Sequence, residues 1–193
     1  MAMEALRIDL PEWVGAYVAA LARRFLDVDS RMAVAIGLAR RNVEEGTGGP
    51  FGAAVFAEET GELLAVGVNL VEASNCSLAH AEMLALAGAQ RRLGRYDLSS
   101  GTFGPCQLVT SVEPCAMCLG AIPWAGLRSV VCGARDEDAR EVGFDEGSKP
   151  QPWAKSLTER GITVVQEVRR EEAQAVLQDY LRRGGRIYNS GGV

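Results

Sequence analysis

Over residues 11–25 apolar side chains recur at helical spacing (Trp13, Val14, Tyr17, Val18, Leu21, Phe25), with a proline near the first turn, which predicts a helix. Ser30 reads as the N-cap of a second helix reaching residue 45, ended by the glycine-rich stretch 46–49. Two strand-like runs follow, 52–57 and 63–69, with a hairpin turn at 58–61. Ser77 is placed to cap a helix running to residue 92. Residues 107–111 form a short apolar strand, and Pro114 opens a helix that stops before Gly126. Residues 128–132 read as a buried strand, and 133–150 has little periodicity and reads as a functional loop. A helix over 153–160, a strand over 162–165 and a helix over 171–183 complete the pattern. The glycine-rich tail 184–193 has no evident anchor. Strand and helix alternate through the later half, so an α/β sheet with helices on its faces is expected.

Composition narrows the function classes. The chain has 193 residues, 48% hydrophobic and 23% charged, which suits one soluble domain and not a disordered segment. The formal charge of −5 favours small-molecule chemistry over a phosphate backbone, so no nucleic-acid partner is expected. No apolar stretch approaches the roughly 20 residues that span a bilayer, so no membrane association is expected. The first eight residues lack the charged start and apolar core of a secretory signal, so the cytoplasm is the expected location. Five cysteines, an odd number, argue for metal binding or burial over a disulfide framework.

Chemistry concentrates in two motifs. His80-Ala81-Glu82 lies near one predicted helix start, and Pro114-Cys115-Ala116-Met117-Cys118 lies where a strand gives way to another helix. Two cysteines so spaced at a helix start can aim both sulfurs at one cation, and the helix N-terminus favours their thiolates. His80, the chain's only histidine, adds a nitrogen. Three protein ligands leave a fourth tetrahedral place for water, the pattern of catalytic zinc, whereas structural sites close with four. Glu82 points about 200° around the helix from His80, yet at the first turn it can reach that water without ligating. A lone Cys-x-x-Cys could equally be a redox pair, half a structural zinc site or two buried small residues. In this order, with His-x-Glu preceding it, it matches the zinc deaminase signature.

At these residues the chain resembles the cytidine deaminase-like superfamily. Pro50-Phe51-Gly52-Ala53, Asn69, His80-Ala81-Glu82 and Glu113-Pro114-Cys115-Ala116-Met117-Cys118 are most similar to its purine-directed branch. The resemblance implies a three-layer fold, a five-stranded mixed sheet covered by helices, with one Zn²⁺ held between two helix N-termini. It implies a single deaminase domain over 1–193: N-terminal helices in 1–46, a zinc-binding core in 50–166, and a C-terminal helix and tail in 167–193. It implies that Asn69 hydrogen-bonds the base, that residues at Phe51, Ala81 and Trp124 lie at the pocket, and that the protein is a homodimer. The stretch 143–147 resembles bacterial guanine deaminases, in which a second carboxylate assists proton transfer. That role passes to Glu146, with Asp145 as the competing candidate. Guanine is therefore the expected substrate, with tRNA adenosine, cytosine or an amino-triazine as alternatives. Residues 167–186 carry five arginines and four acids, too balanced for the cationic surface that tRNA enzymes usually need.

Other features read more plainly. Gly46-Thr47-Gly48-Gly49 precedes a strand and opens no helix, so it is a turn and not a phosphate loop. Phe51 and Trp124 suit base stacking or core packing equally, and Phe144 and Tyr188 are further pocket candidates. Cys132 and Cys106 read as buried, and Cys76 as buried or at the pocket edge.

Overall fold

The computed structural model describes residues 5–189; positions 1–4 and 190–193, assigned above to the start of the N-terminal region and the end of the tail, lie outside it. Helices α1 (Glu12–Ala20) and α2 (Val28–Glu44) precede strands β1 (Gly52–Ala57) and β2 (Leu63–Val68). A one-turn helix α3 (Val71–Ser74) leads to α4 (Ala81–Leu93), β3 (Cys106–Val112), α5 (Ala116–Trp124) and β4 (Ser129–Ala134). The chain continues through α6 (Asp136–Glu141), α7 (Trp153–Thr158), β5 (Thr163–Val165) and α8 (Arg170–Arg182).

Four boundaries depart from the pattern-based reading. The first helix stops at Ala20, because Arg24 pairs with Glu62 and Phe25 N–H donates to the Gly61 carbonyl, which draws that stretch onto the sheet edge. Asp27, not Ser30, caps α2: its carboxylate accepts the Ser30 N–H at 2.7 Å. His80, not Ser77, stands at the N-cap of α4, because the chain from 77 to 80 stays non-helical and only Ala81 starts the helix. Residues 133–150 are not all loop but include α6, too short to show periodicity.

The sheet runs β2-β1-β3-β4-β5, with β1 antiparallel to β2 and β3, and β3, β4 and β5 mutually parallel. Side chains alternate across it. Ala54, Phe56, Val109 and Val131 pack with Met32 and Leu38 of α2 and Leu177 of α8. Ala53, Val55, Leu108 and Val130 pack with Ala85 of α4, Ile122 of α5 and Trp153 of α7 on the other face. This is the expected three-layer α/β arrangement. Among the described residues no helix is long and apolar enough to cross a membrane.

Topology fixes where a ligand can sit. Because β1 runs against its neighbours, the ends of β2, β3 and β4 and the start of β1 share one edge of the sheet. Asn69, Glu113 and Arg135 follow those strand ends, and Phe51 precedes β1. The crevice beyond the carboxyl ends of parallel strands is the usual ligand site of an open α/β sheet. Gly67 brings α4 to this edge: a Cβ there would overlap the Ala81 carbonyl oxygen and stand 2.7 Å from Ala85 N.

Candidate active site

His80 and Cys115 occupy the N-cap positions of α4 and α5, both in extended backbone, and Cys118 lies one turn into α5. His80 Nδ1 stands 3.5 Å from Cys115 Sγ and 3.7 Å from Cys118 Sγ. Nitrogen and sulfur bound tetrahedrally to zinc, at about 2.0 and 2.3 Å, stand roughly 3.5 Å apart, so the spacing fits that ion. The charges fit too. Cys115 is held down to about 4, chiefly by a hydrogen bond from Cys118, while that same bond and burial push the Cys118 thiol up. A divalent cation at the positive ends of the two helices would let both buried sulfurs ionise. Burial alone would lower the His80 imidazole, but the Cys115 sulfur and the carboxylates of Glu82 and Glu146 raise it.

A cavity of about 320 Å³ opens on this cluster. Glu82 and Glu146 both line it, 7% and 5% exposed. Burial, then the Cys115 sulfur, raises the Glu82 carboxyl. Burial also pushes Glu146 up to about 8, assisted by the Cys115 sulfur and against the pull of Lys149. The Glu146 carbonyl accepts the Ala116 N–H at 2.9 Å, which ties its loop to the start of α5. Asp145 reaches the cavity only at its rim: its side chain is 62% exposed and accepts the Gly147 N–H.

Asn69 and Phe51 form the wall nearest the sheet. Phe51 meets Phe144 edge-on at 4.9 Å, and Phe144 meets Tyr188 at 5.2 Å. The tail does have an anchor. Asn189 accepts the Asp145 N–H and donates to the Gly143 carbonyl, and Tyr180 donates to the Arg186 carbonyl. Tyr188 and Asn189 thereby become cavity wall. Asn189 carries no motif or periodicity, so nothing local in the sequence marks it.

Two expected pocket residues lie elsewhere. Trp124 is 88% exposed and borders a separate depression with Leu119, Pro123 and Arg160, because the end of α5 points away from its metal-binding start. Neither stacking in this cavity nor core packing describes it. Ala81 is fully buried between α4 and the sheet and does not line the cavity.

The family model for the cytidine and deoxycytidylate deaminase zinc-binding region matches residues 27–134, which include all three metal donors and Glu82. The chain belongs to this family. This deaminase is 42% identical to the guanine deaminase of Bacillus subtilis over 132 residues, 68% of this chain and 80% of that protein. Its fold superposes on the guanine deaminase of Nitrosomonas europaea with a TM-score of 0.86 at 44% identity, covering 93% and 98% of the two chains. A relative solved in complex with 2,6-diaminopurine gives a TM-score of 0.88 at 45% identity, covering 96% and 97%. The deaminase is a zinc-dependent hydrolase, and His80, Cys115 and Cys118 are the donors that fit its metal.

Proposed function

We propose that this deaminase hydrolyses guanine to xanthine and ammonia. The observation that carries the reading is the orientation of the Asn69 amide. Its Oδ1 accepts the Val71 N–H at 3.2 Å, which leaves Nδ2 as a donor toward the cavity. Guanine offers a carbonyl oxygen to such a donor and an amidine amine to hydrolyse, whereas adenine has no carbonyl. Two relatives similar over most of this chain carry the name guanine deaminase, which supports the same choice.

His80, Cys115 and Cys118 would hold the zinc, which would supply Lewis-acid activation of water near neutral pH. Glu82 takes a proton from the attacking water and passes it to the ring nitrogen beside the amine-bearing carbon. The water oxygen bonds to that carbon. Glu146 carries the second proton to the amine as the C–N bond breaks, and the two hydrogens of water end on the ring nitrogen and on ammonia. Phe51 offers an aromatic wall to the base, and buried Phe144 backs it.

The test is ammonia release by zinc-loaded protein from guanine, adenine, cytosine, cytidine, amino-triazines and tRNA. Guanine is expected to lead the panel. Release from an anticodon stem-loop but not from guanine would replace the reading with tRNA adenosine deamination. Release from cytosine or a triazine alone would move it to those rings.

The same reading makes residues 1–193 one deaminase domain, active as a homodimer in cytoplasmic purine metabolism, without a nucleic-acid partner. Trp124 and Tyr96, 88% and 82% exposed, border one shallow groove with Pro123, an aromatic patch that suits a second copy. Five free thiols suit a reducing compartment. Sedimentation should find a dimer that Trp124→Ser weakens; a monomeric parent protein would exclude it.

A further inference from the structure

The glycine-rich turn 46–49 borders the wall of the cavity that carries Asn69, and the residue behind it is Asn42. Asn42 is fully buried near the end of α2, with no place in the cavity lining. Its Nδ2 donates both hydrogens, to the carbonyl oxygens of Asn69 and Gly49, each at 2.9 Å. Its Oδ1 accepts from the Thr47 hydroxyl at 2.7 Å, and that hydroxyl accepts from the Trp13 indole at 3.0 Å. The amide is thus oriented by a donor on one side and spends both hydrogens on the other.

We propose that Asn42 is a positioning residue for base recognition, acting through Asn69; the proposal rests on Asn69 orienting the substrate. Asn69 is held at three atoms. Its N–H donates to the Phe51 carbonyl, its carbonyl accepts from Asn42, and its Oδ1 accepts from Val71. Of these partners only Asn42 is a side chain, and it ties Asn69 to Gly49 across the stretch that leads into Phe51. Gly48 is matched to the clamp. A Cβ there would overlap the Asn69 carbonyl oxygen and stand 2.7 Å from Asn42 Nδ2. The next residue serves the other wall: a Cβ at Gly49 would overlap the Tyr188 hydroxyl. Asn42 therefore fixes the spacing between the Asn69 wall and the seat of Tyr188.

Two measurements on the zinc-loaded full chain test this. The first needs no substrate: amide hydrogen exchange at Val71 should speed up about tenfold or more in Asn42→Ala, the change that ~1.4 kcal/mol of lost local protection produces. Unchanged Val71 protection overturns the proposal, whatever base the enzyme prefers. The second is a kinetic cycle on the base that the parent protein turns over fastest. Asn42→Ala should lower kcat/KM at least about tenfold in the parent and less than about twofold in an Asn69→Ala background. Equal losses in both backgrounds mean a general packing role and overturn it. Should Asn42→Ala not fold, Gly48→Ala wedges the clamp open while keeping its polar groups, and must give the same pattern in both measurements. A parent protein inert toward guanine sinks the substrate reading alone, since Val71 exchange and the cycle on another base are unaffected.

Discussion

Lys149 and Asp136 meet as an ion pair, Nζ to Oδ1 at 2.9 Å, with no part of the lysine side chain exposed. The same ammonium donates to the Pro114 carbonyl at 3.0 Å, the residue before Cys115, and lies 6.0 Å from the centre of the Trp153 ring. One buried cation thus joins the Glu146 loop, the start of α6 and the approach to the metal donors. Removing the lysine leaves Asp136 with Arg140 alone, at 3.1 Å, and leaves the Pro114 carbonyl without its donor. Lys149→Met should destabilise the fold by on the order of 3 kcal/mol. A melting temperature lowered by roughly 10 °C, read by calorimetry, is the expected result.

Glu82→Gln keeps the shape of the cavity and removes the group assigned to move the first proton. Turnover should fall roughly 10²–10⁴-fold, the range of general acid–base contributions, with zinc content unchanged by metal analysis. Ordinary turnover would remove Glu82 from that role.

Glu146 and Asp145 are neighbours with opposite surroundings, one enclosed in the cavity and the other at its rim. Glu146→Gln should lower kcat by about 10²-fold or more with zinc retained. Asp145→Asn keeps an oxygen for the Gly147 N–H and should change kcat by less than about threefold. The reverse order would hand the second proton transfer to Asp145.

Stability should carry a pH signature from Asp138. Its carboxylate, 1% exposed, accepts from Arg170 at 2.7 and 2.9 Å, and that guanidinium holds it below the ordinary value of 3.8. A lowered folded value stabilises above the ordinary pKa, and the gain disappears as pH falls through the folded one. Arg170→Met should therefore melt below the parent at pH 7, and the two curves should converge once the pH is well under 3.8. A constant gap across the acid range would show that the ion pair is not its source.

The metal centre was legible because its chemistry admits few residue types. His80, Cys115 and Cys118 must supply one nitrogen and two sulfurs from helix starts, and the spacing within each motif shows it. The central strands were legible for a related reason: fully buried runs such as 52–57 and 129–134 leave little polar ambiguity. Long-range placement was not legible. The anchoring of Asn189 depends on backbone groups 44 and 46 positions earlier, at Asp145 and Gly143. Trp124 misled because an apolar helix looks alike whether its last turn meets a core or solvent. The glycines of 46–49 mark a turn, yet the need for glycine at 48 arises from Asn69, 21 residues later, which local pattern does not carry.

His80 is the chain's sole histidine, and it stands with Cys115 and Cys118 in the cluster that fits the metal. Its imidazole resonances therefore stand alone in an NMR spectrum, a spectroscopic window on the catalytic centre that needs no isotope-selective labelling or assignment by mutation. That advantage survives only if the protein is purified without a polyhistidine handle.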